Sequence, residues 1–461
     1  MGKYFGTDGF RGEAGVTLTS GQAYRIGRFL GWYYASALSG CKENHHKTRV
    51  VIGKDTRRSS YMFEYAIVAG LTASGADAYM LHVTTTPSVS FVTRRDDFDC
   101  GVMISASHNV YTDNGIKIVN RNGEKMDDRT IALLEKYLDG DFAALGLSGE
   151  LPEATGADIG CITDYVAGRN RYVGYLISLA EHSYKNLRIG LDCANGASWM
   201  IAGAVFEALG ARTYILNNHP NGLNINENAG STHMEGLQKF VLENKLDLGF
   251  AFDGDADRCQ AVDENGHLVT GDHILFVLAN RLRERGALNG NKAVATIMSN
   301  IGLFRAFDKA GIGYETTTVG DRFVYECMQK NNYMVGGEQS GHIILKKYAT
   351  TGDGILTAIM LTEEVLDRKL PLSKLCAPVV FFPQYQENVR VKNKDEAAND
   401  PVVLAKVAEL NEKLSGNGRM LLRRSGTEPV IRVMAEADSE ELCRHFVGEV
   451  TKLIKDRGLS L

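Results

Sequence analysis

The sequence predicts an α/β fold of four domains: three domains with mixed or parallel sheets and a smaller C-terminal α+β domain. Three observations carry this expectation. Short apolar runs alternate with longer helical patterns, the rhythm of strand–helix–strand units. The alternation restarts twice after its first unit. Beyond residue 380 the rhythm changes to strand, helix, two strands, helix. A chain of 461 residues also exceeds what one hydrophobic core serves.

The elements justify this in order. "RVVIG" (49–53) reads as a strand and "SYMFEYAIVAGLTASG" after it as a helix. "AYMLHV" (78–83) and "SVSFVTRR" repeat the pair, and "GVMI" (101–104) is a further strand. "LRIGLD" (187–192) precedes the helical "ASWMIAGAVFEALG", and "TYILN" (213–217) follows it. "DLGFAF" (247–252) follows the helical "EGLQKFVLENK". Crossovers of this kind imply largely parallel sheets. The expected domains span 1–162, 163–262, 263–379 and 380–461.

Composition narrows the function classes. Hydrophobic residues at 44% and charged residues at 23% describe a folded globular chain. With 49 Gly and 8 Pro, tight turns rather than disordered linkers join the elements. The net charge of −5 argues against nucleic acid as a partner. Eight cysteines without a CxxC pair read as reduced thiols, so a cytoplasmic setting is expected. "MGKYFGTDGFRGEAG" lacks the apolar stretch of a signal peptide, and Gly6 stands where myristoylation needs Ser or Thr. No run of about 18 apolar residues predicts a membrane span. The polar segment "CKENHHKTR", starting at residue 41, reads as a solvated loop.

Four polar loops each follow an apolar strand: "SASHN", "DGDADR", "GEQSGH" and "RRSGTEP". Ligands of open α/β sheets sit at the carboxyl ends of strands, so four such loops imply one shared cleft. In "DGDADR", Asp253, Asp255 and Asp257 alternate, and an extended segment would point them the same way. Three adjacent carboxylates need a cation, and hard oxygen ligands suit Mg²⁺ or Ca²⁺. An EF-hand would use Glu264 as its twelfth loop residue, but Arg258 holds the sixth place, where the turn needs Gly. Mg²⁺ with Arg258 as a balancing charge is the preferred reading; a solvated acidic turn is the alternative.

In "RRSGTEP", the Arg423 and Arg424 charges and the Ser425, Gly426 and Thr427 donors suit a phosphate, although an ordinary turn remains open. It is not a Walker A loop. In "GEQSGH", Glu338, Ser340 and His342 suit sugar hydroxyls, with His342 a general base or a structural histidine. In "SASHN", a serine at a strand-to-helix turn is a candidate nucleophile, but the GxSxG pattern is absent. Ser105, Ser107 and Asn109 are also good helix caps. His108 adjoins Ser107 without any assurance of contact. Lys117 reads either as a proton or phosphate partner or as an exposed strand-end lysine.

With these loops in view, the chain resembles the α-D-phosphohexomutase family. The likeness runs from "FGTDGFRG" (5–12) through "FDGDADR", "VGDR" (319–322) and "GGEQSGH" to "RRSGTEPVIRV" (423–433), in the family's order. The resemblance implies four domains around a central cleft and a phosphoserine at Ser107. It implies one Mg²⁺ on Asp253, Asp255 and Asp257, completed by the phosphoserine oxygen. Glu338, Ser340 and His342 would hold sugar hydroxyls; Arg423, Ser425, Gly426 and Thr427 the distal phosphate. Arg11 and Lys117 would line the catalytic end, and His342 joins them as a catalytic candidate.

The implied reaction interconverts glucosamine 6-phosphate and glucosamine 1-phosphate through a 1,6-bisphosphate. A hexosamine 1,6-bisphosphate would be the activator, and the product would feed UDP-N-acetylglucosamine synthesis. Gln339 resembles the glucosamine-type loop. A phosphomannomutase or phosphoglucomutase is the nearest alternative, followed by a non-catalytic sugar-phosphate-binding protein and a metal-dependent phosphatase. The implied partner is a sugar phosphate, with no nucleic acid and no membrane, and a homodimer is left open. The chain departs from the family at Val110, where proline is usual, and at Arg424, where lysine is common. A slightly softer serine loop is expected from the first.

Overall fold

A computed structural model describes residues 2–36, 47–414, 416–425 and 429–461. Most of "CKENHHKTR" lies outside them, as do Gly426 and Thr427. The chain divides into two compact units: Met1–Met298 with Ile312–Ala377, and Ser299–Gly311 with Pro378–Leu461. No described helix is long and apolar enough to cross a membrane.

The described part of the first unit holds three sheets. The first runs Phe5–Gly6, Gly9–Glu13, Asp113–Asn120, Cys100–Ile104, Arg49–Lys54, Asp77–Val83, Ile162–Asp164. The second runs Leu268–Val269, Cys259–Val262, Leu248–Phe252, Arg188–Asp192, Arg212–Leu216, and the third Gly313–Thr317, Lys292–Thr296, Val335–Gly337, Ile343–Leu345. The central strands Cys100–Ile104 and Leu248–Phe252 are buried at every residue. Strands buried on both faces read as continuous apolar runs, which is why "GVMI" and "LGFAF" stand out in the sequence.

The helices that pack on these strands show why the glycines matter. The helices Ser20–Ala35 and Arg58–Ala73 lie so close that a Cβ on Gly27 would strike the Ile67 carbonyl, and one on Gly70 the Tyr24 carbonyl. Phe29, Phe63 and Ile67 are fully buried around this contact. Each such side chain contributes about 1.5–3 kcal/mol of burial energy. The helix Thr86–Arg95 starts where Thr85 Oγ1 accepts the Ser88 amide at 3.2 Å, with Pro87 in its first turn.

The sheets are more mixed than expected. The strand Asp113–Asn120 returns antiparallel beside Cys100–Ile104, pairing Met103 with Lys117. The connection is too short for a crossover helix, so only a reversal fits. The helix expected over 197–210 is a 3₁₀ turn, Ala197–Met200, followed by the helix Ala202–Ala208. The Ala197 amide is tied to the Gly254 carbonyl at 2.8 Å, which holds that first turn against the neighbouring loop.

The second unit pairs Gln384–Arg390, Val430–Glu436 and Arg419–Arg424 in an antiparallel sheet. Its first expected helix is two, Lys394–Asn399 and Pro401–Leu414. Asp400 is extended (φ −62°, ψ 120°) because it precedes a proline, and this breaks the helix. The helix Ile301–Ala310 belongs to the same unit, where the Ile301 amide donates to Glu436 at 3.1 Å.

Candidate active site

The loop between Cys100–Ile104 and Asp113–Asn120 joins two antiparallel strands, not a strand and a helix, so its serines cap nothing. Its two serines diverge. Ser105 is fully buried; its hydroxyl donates to Asp55 at 2.7 Å and its Oγ accepts the Ser107 amide at 3.0 Å. Ser107 sits in the left-handed region at φ +53°, which turns its side chain away from the strand direction. Its hydroxyl donates to Asp253 Oδ2 at 2.5 Å and lies 3.2 Å from His108 Nδ1. Burial, with Arg258 and Arg11 nearby, lowers the His108 pKa to about 4, so its ring is neutral at pH 7.

Asp253, Asp255 and Asp257 converge, but not by extended alternation. Residues 253–258 form a turn in which Ala256 adopts φ +56° and its amide bonds the Asp253 carbonyl at 3.0 Å. The turn brings one oxygen from each aspartate within 4.8 Å of the others. Burial and the two neighbouring carboxylates push Asp253 well above the usual carboxylate range. Burial acts on Asp257 in the same direction, but Lys117, His342 and Arg258 outweigh it and hold that group well below.

Lys117 is buried, which excludes the exposed strand-end reading. Its ammonium lies 2.8 Å from Asp255 Oδ2 and 3.3 Å from both Asp257 Oδ2 and Asp8 Oδ2. The other oxygens, Asp255 Oδ1 and Asp257 Oδ1, are buried without a hydrogen-bond partner among the described residues. Orphaned buried carboxylate oxygens are costly, and a hard divalent cation would satisfy them. The donor set therefore fits a metal ion. Arg258 takes the balancing place: its amide donates to Asp253 Oδ1 at 3.1 Å and its guanidinium stands 3.9–4.0 Å from Asp257 and Asp253.

The loop 338–342 closes the hairpin of Val335–Gly337 and Ile343–Leu345. It packs directly on the aspartate loop: the Cys259 amide bonds the Gly341 carbonyl at 3.0 Å, and a side chain on Gly341 (φ +91°) would strike the Cys259 carbonyl. Glu338 Oε1 accepts the Gly320 amide at 3.0 Å. His342 is buried, with Nδ1 3.7 Å from Asp257 and Nε2 accepting the Gly352 amide at 3.0 Å. Burial resists a second proton on this ring, but Asp257, Asp321 and Glu338 prevail and raise its pKa to about 9. Taking that proton would break the Gly352 bond, so the fixed amide opposes the carboxylates at Nε2.

A cavity of about 540 Å³ opens among Asp8, Thr86, Lys117, Lys125, Asp257 and Asp321. Arg11 ion-pairs with Asp8 and reaches Asn109 Oδ1 at 3.5 Å. Asp8, Lys125 and Asp321 escaped the sequence reading. Lys125 joins the other two, at 3.2 Å from Asp8 and 2.7 Å from Asp321. Asp8 lies within "FGTDGFRG" and Asp321 within "VGDR", so both motifs carried the signal.

In the second unit, Arg423 lies on the strand Arg419–Arg424 directly opposite Arg432. Burial and the like charge of Arg432 lower its pKa. Arg423 Nε is buried without a hydrogen-bond partner among the described residues. Ser425 is buried, its amide bonded to the Val430 carbonyl at 3.0 Å, and Arg424 turns outward to pair with Asp395. Arg432, also missed, is a second cation beside the loop.

Comparison with known proteins agrees along the length of the chain. The phosphoglucomutase/phosphomannomutase family matches at its alpha/beta/alpha domain I over residues 2–143, domain II over 170–266, domain III over 270–380 and C-terminal domain over 387–453. A phosphoglucosamine mutase of Lachnospira eligens is 59% identical over 463 residues, covering 100% of both chains. That of Bacillus subtilis is 44% identical over 455 residues, covering 99% of each. Among solved structures, a phosphoglucomutase/phosphomannomutase family protein from Burkholderia thailandensis superposes with a TM-score of 0.78 at 22% identity, covering 99% of this chain and 98% of that one. N-acetylphosphoglucosamine mutase of Aspergillus fumigatus, in complex with GlcNAc-6P and magnesium, gives a TM-score of 0.71 at 17% identity over 99% and 96%.

Proposed function

The chain belongs to the phosphoglucomutase/phosphomannomutase family, and on that premise we propose that it interconverts glucosamine 6-phosphate and glucosamine 1-phosphate. The observation that carries the chemistry is the Ser107 hydroxyl on Asp253, at the mouth of a three-aspartate cluster. Ser107 Oγ carries a phosphoryl group and donates it to the free hydroxyl of the sugar monophosphate. The serine P–O bond breaks, the sugar P–O bond forms, and the sugar hydroxyl proton leaves to a base at the catalytic end. The 1,6-bisphosphate so formed turns end for end and returns its other phosphoryl group to Ser107.

Asp253, Asp255 and Asp257 would hold Mg²⁺ together with an oxygen on Ser107. Such an ion, when bound, offsets charge on the transferring oxygens. Lys117 and Arg11 add positive charge at the same end, where positioning and charge stabilisation are the main catalytic contributions. Glu338, Ser340 and His342 hold the sugar hydroxyls. With one ring nitrogen facing Asp257 and the other bonded to Gly352, His342 is better placed to orient than to take a proton. Arg423 and Ser425, with Gly426 and Thr427 outside the described residues, receive the distal phosphate. A hexosamine 1,6-bisphosphate primes the serine. Seven free cysteines among the described residues are in keeping with the cytoplasm, the compartment we assign.

The sugar rests on Gln339 and on the relatives named phosphoglucosamine mutase. To test it, the purified protein is given Mg²⁺ and a trace of hexose 1,6-bisphosphate. Glucosamine, glucose, mannose and N-acetylglucosamine phosphates are then compared in both directions. Fastest turnover is expected on glucosamine phosphates; fastest turnover on a neutral hexose would overturn the sugar assignment. EDTA is expected to stop turnover and Mg²⁺ to restore it, and activity indifferent to chelation would remove the metal from the proposal.

A further inference from the structure

We infer that Asp55, Arg57 and Asn226 form a bracket that holds the backbone of the Ser107 loop and so aims the Ser107 hydroxyl at Asp253. None of the three touches the reacting atoms; they are positioning residues. The inference rests on Ser107 as the phosphoryl carrier.

Two donors share the same carbonyls. Arg57 is among the largest fully buried side chains of the described residues. One guanidinium nitrogen donates to the Ser107 and Asn109 carbonyls, both at 2.9 Å, and another donates to the Val110 carbonyl. The third nitrogen, Nε, donates to Asp55 Oδ2 at 2.8 Å, which locks the planar fork. Asn226 Nδ2 also donates to the Ser107 and Asn109 carbonyls, at 2.8 and 2.9 Å. Arg57 and Asn226 lie far apart in sequence, within the ranges of two family domains, so elements of both hold the serine loop.

Asp55 completes the frame. Besides Arg57 it accepts the Ser60 and Ser105 hydroxyls, each at 2.7 Å. Ser105 in turn accepts the Ser107 amide at 3.0 Å. The N–H of Ser107 is thus anchored to Asp55 through Ser105, and its C=O is anchored to Asp55 through Arg57. Fixing both polar groups of one residue fixes its φ and ψ, here a left-handed conformation that costs a non-glycine residue energy. Gly254 shows how tight the fit is: a Cβ there would meet the Ser107 carbonyl and Asn226 Nδ2. The bracket therefore sets the approach of the serine loop to the aspartate loop, on which phosphoryl transfer depends.

The test separates aim from fold. In loading, the bisphosphate P–O bond breaks, a bond to Ser107 Oγ forms, and the serine proton passes to the released sugar oxygen. Loading is followed by intact mass after mixing dephosphorylated enzyme with hexose 1,6-bisphosphate and Mg²⁺. Arg57→Lys keeps the charge but cannot fork, and Asn226→Ala removes the second donor. Displacement of a reacting group by about an ångström costs roughly 10²-fold in rate. Arg57→Lys is expected to slow loading and kcat by about 10²-fold, and Asn226→Ala by about tenfold, both with KM for the sugar phosphate within about twofold. If Arg57→Lys does not fold, Asn226→Ala alone decides. A folded variant that loads at the wild-type rate, or that loses activity only through KM, overturns the bracket. Wild-type enzyme that never acquires phosphate on Ser107 would instead overturn the phosphoserine reading itself.

Discussion

The serine–aspartate end of the first unit and the arginine loop of the second handle charge in opposite ways. At the first, charges of opposite sign are interleaved, and carboxylate oxygens such as Asp255 Oδ1 and Asp257 Oδ1 are left without a hydrogen bond among the described residues. Lys117 stands among Asp8, Asp255 and Asp257, and Asp253 accepts the Ser107 hydroxyl and the Arg258 amide. At the second, Arg423 faces Arg432 across the strand pair, and one of its buried N–H groups lacks a hydrogen bond among the described residues. Like charges placed opposite each other on a sheet repel. The first arrangement holds groups still for a reaction. The second sets two like charges opposite each other, in keeping with the phosphate role proposed for that loop.

That contrast can be broken or sharpened by substitution. The largest effect is expected within the first region, between its two serines. Ser107→Ala should lower turnover by on the order of 10⁴-fold or more, since nothing else in the loop presents a hydroxyl to Asp253. Ser105→Ala should retain activity to within about tenfold, losing only one link of the loop's anchorage. Steady-state assays of both decide it, and equal losses would mean that the loop as a whole, not Ser107, carries the reaction.

A smaller effect belongs to His108. Burial and neighbouring arginines depress its pKa from 6.5 to about 4. Below pH 6.5 the unfolded chain binds a proton there that the folded one refuses until about pH 4. The stability it contributes is therefore complete above pH 6.5 and is lost as pH falls toward 4, by at most about 3 kcal/mol. Urea unfolding of the dephosphorylated, metal-free protein across this range should show that limb, and His108→Gln should flatten it. An unchanged slope in the variant would assign the limb to other groups.

The smallest effect tests the second region. Arg423→Ala should raise KM for the sugar phosphate about 10- to 100-fold, the worth of about 1.5–3 kcal/mol for one charged hydrogen bond, with a lesser change in kcat. It should also stabilise the second unit slightly against heat in the absence of phosphate, because the repulsion with Arg432 is gone. A variant with unchanged KM would break the comparison.

Much of this was legible in the sequence because it is local. Apolar runs such as "GVMI" and "LGFAF" announce strands covered on both faces. Glycine-bearing polar loops at their ends announce the site, and four motifs in order announce the family. Asp253, Asp255, Asp257 and Ser107 could be named without coordinates. What local pattern could not say is how they meet. The aspartates converge through a turn with a left-handed Ala256 rather than along an extended strand. Lys117 is buried among carboxylates only because Asp113–Asn120 runs antiparallel beside Cys100–Ile104. Asp8, Asp321, Arg57 and Asn226 act across 50 to more than 100 residues of chain. Strand register and the approach of distant backbones decide such contacts, and neither leaves a periodic trace. The sequence by itself determined which chemistry the chain carries; tertiary structure decided how Ser107 is aimed, and what holds it there.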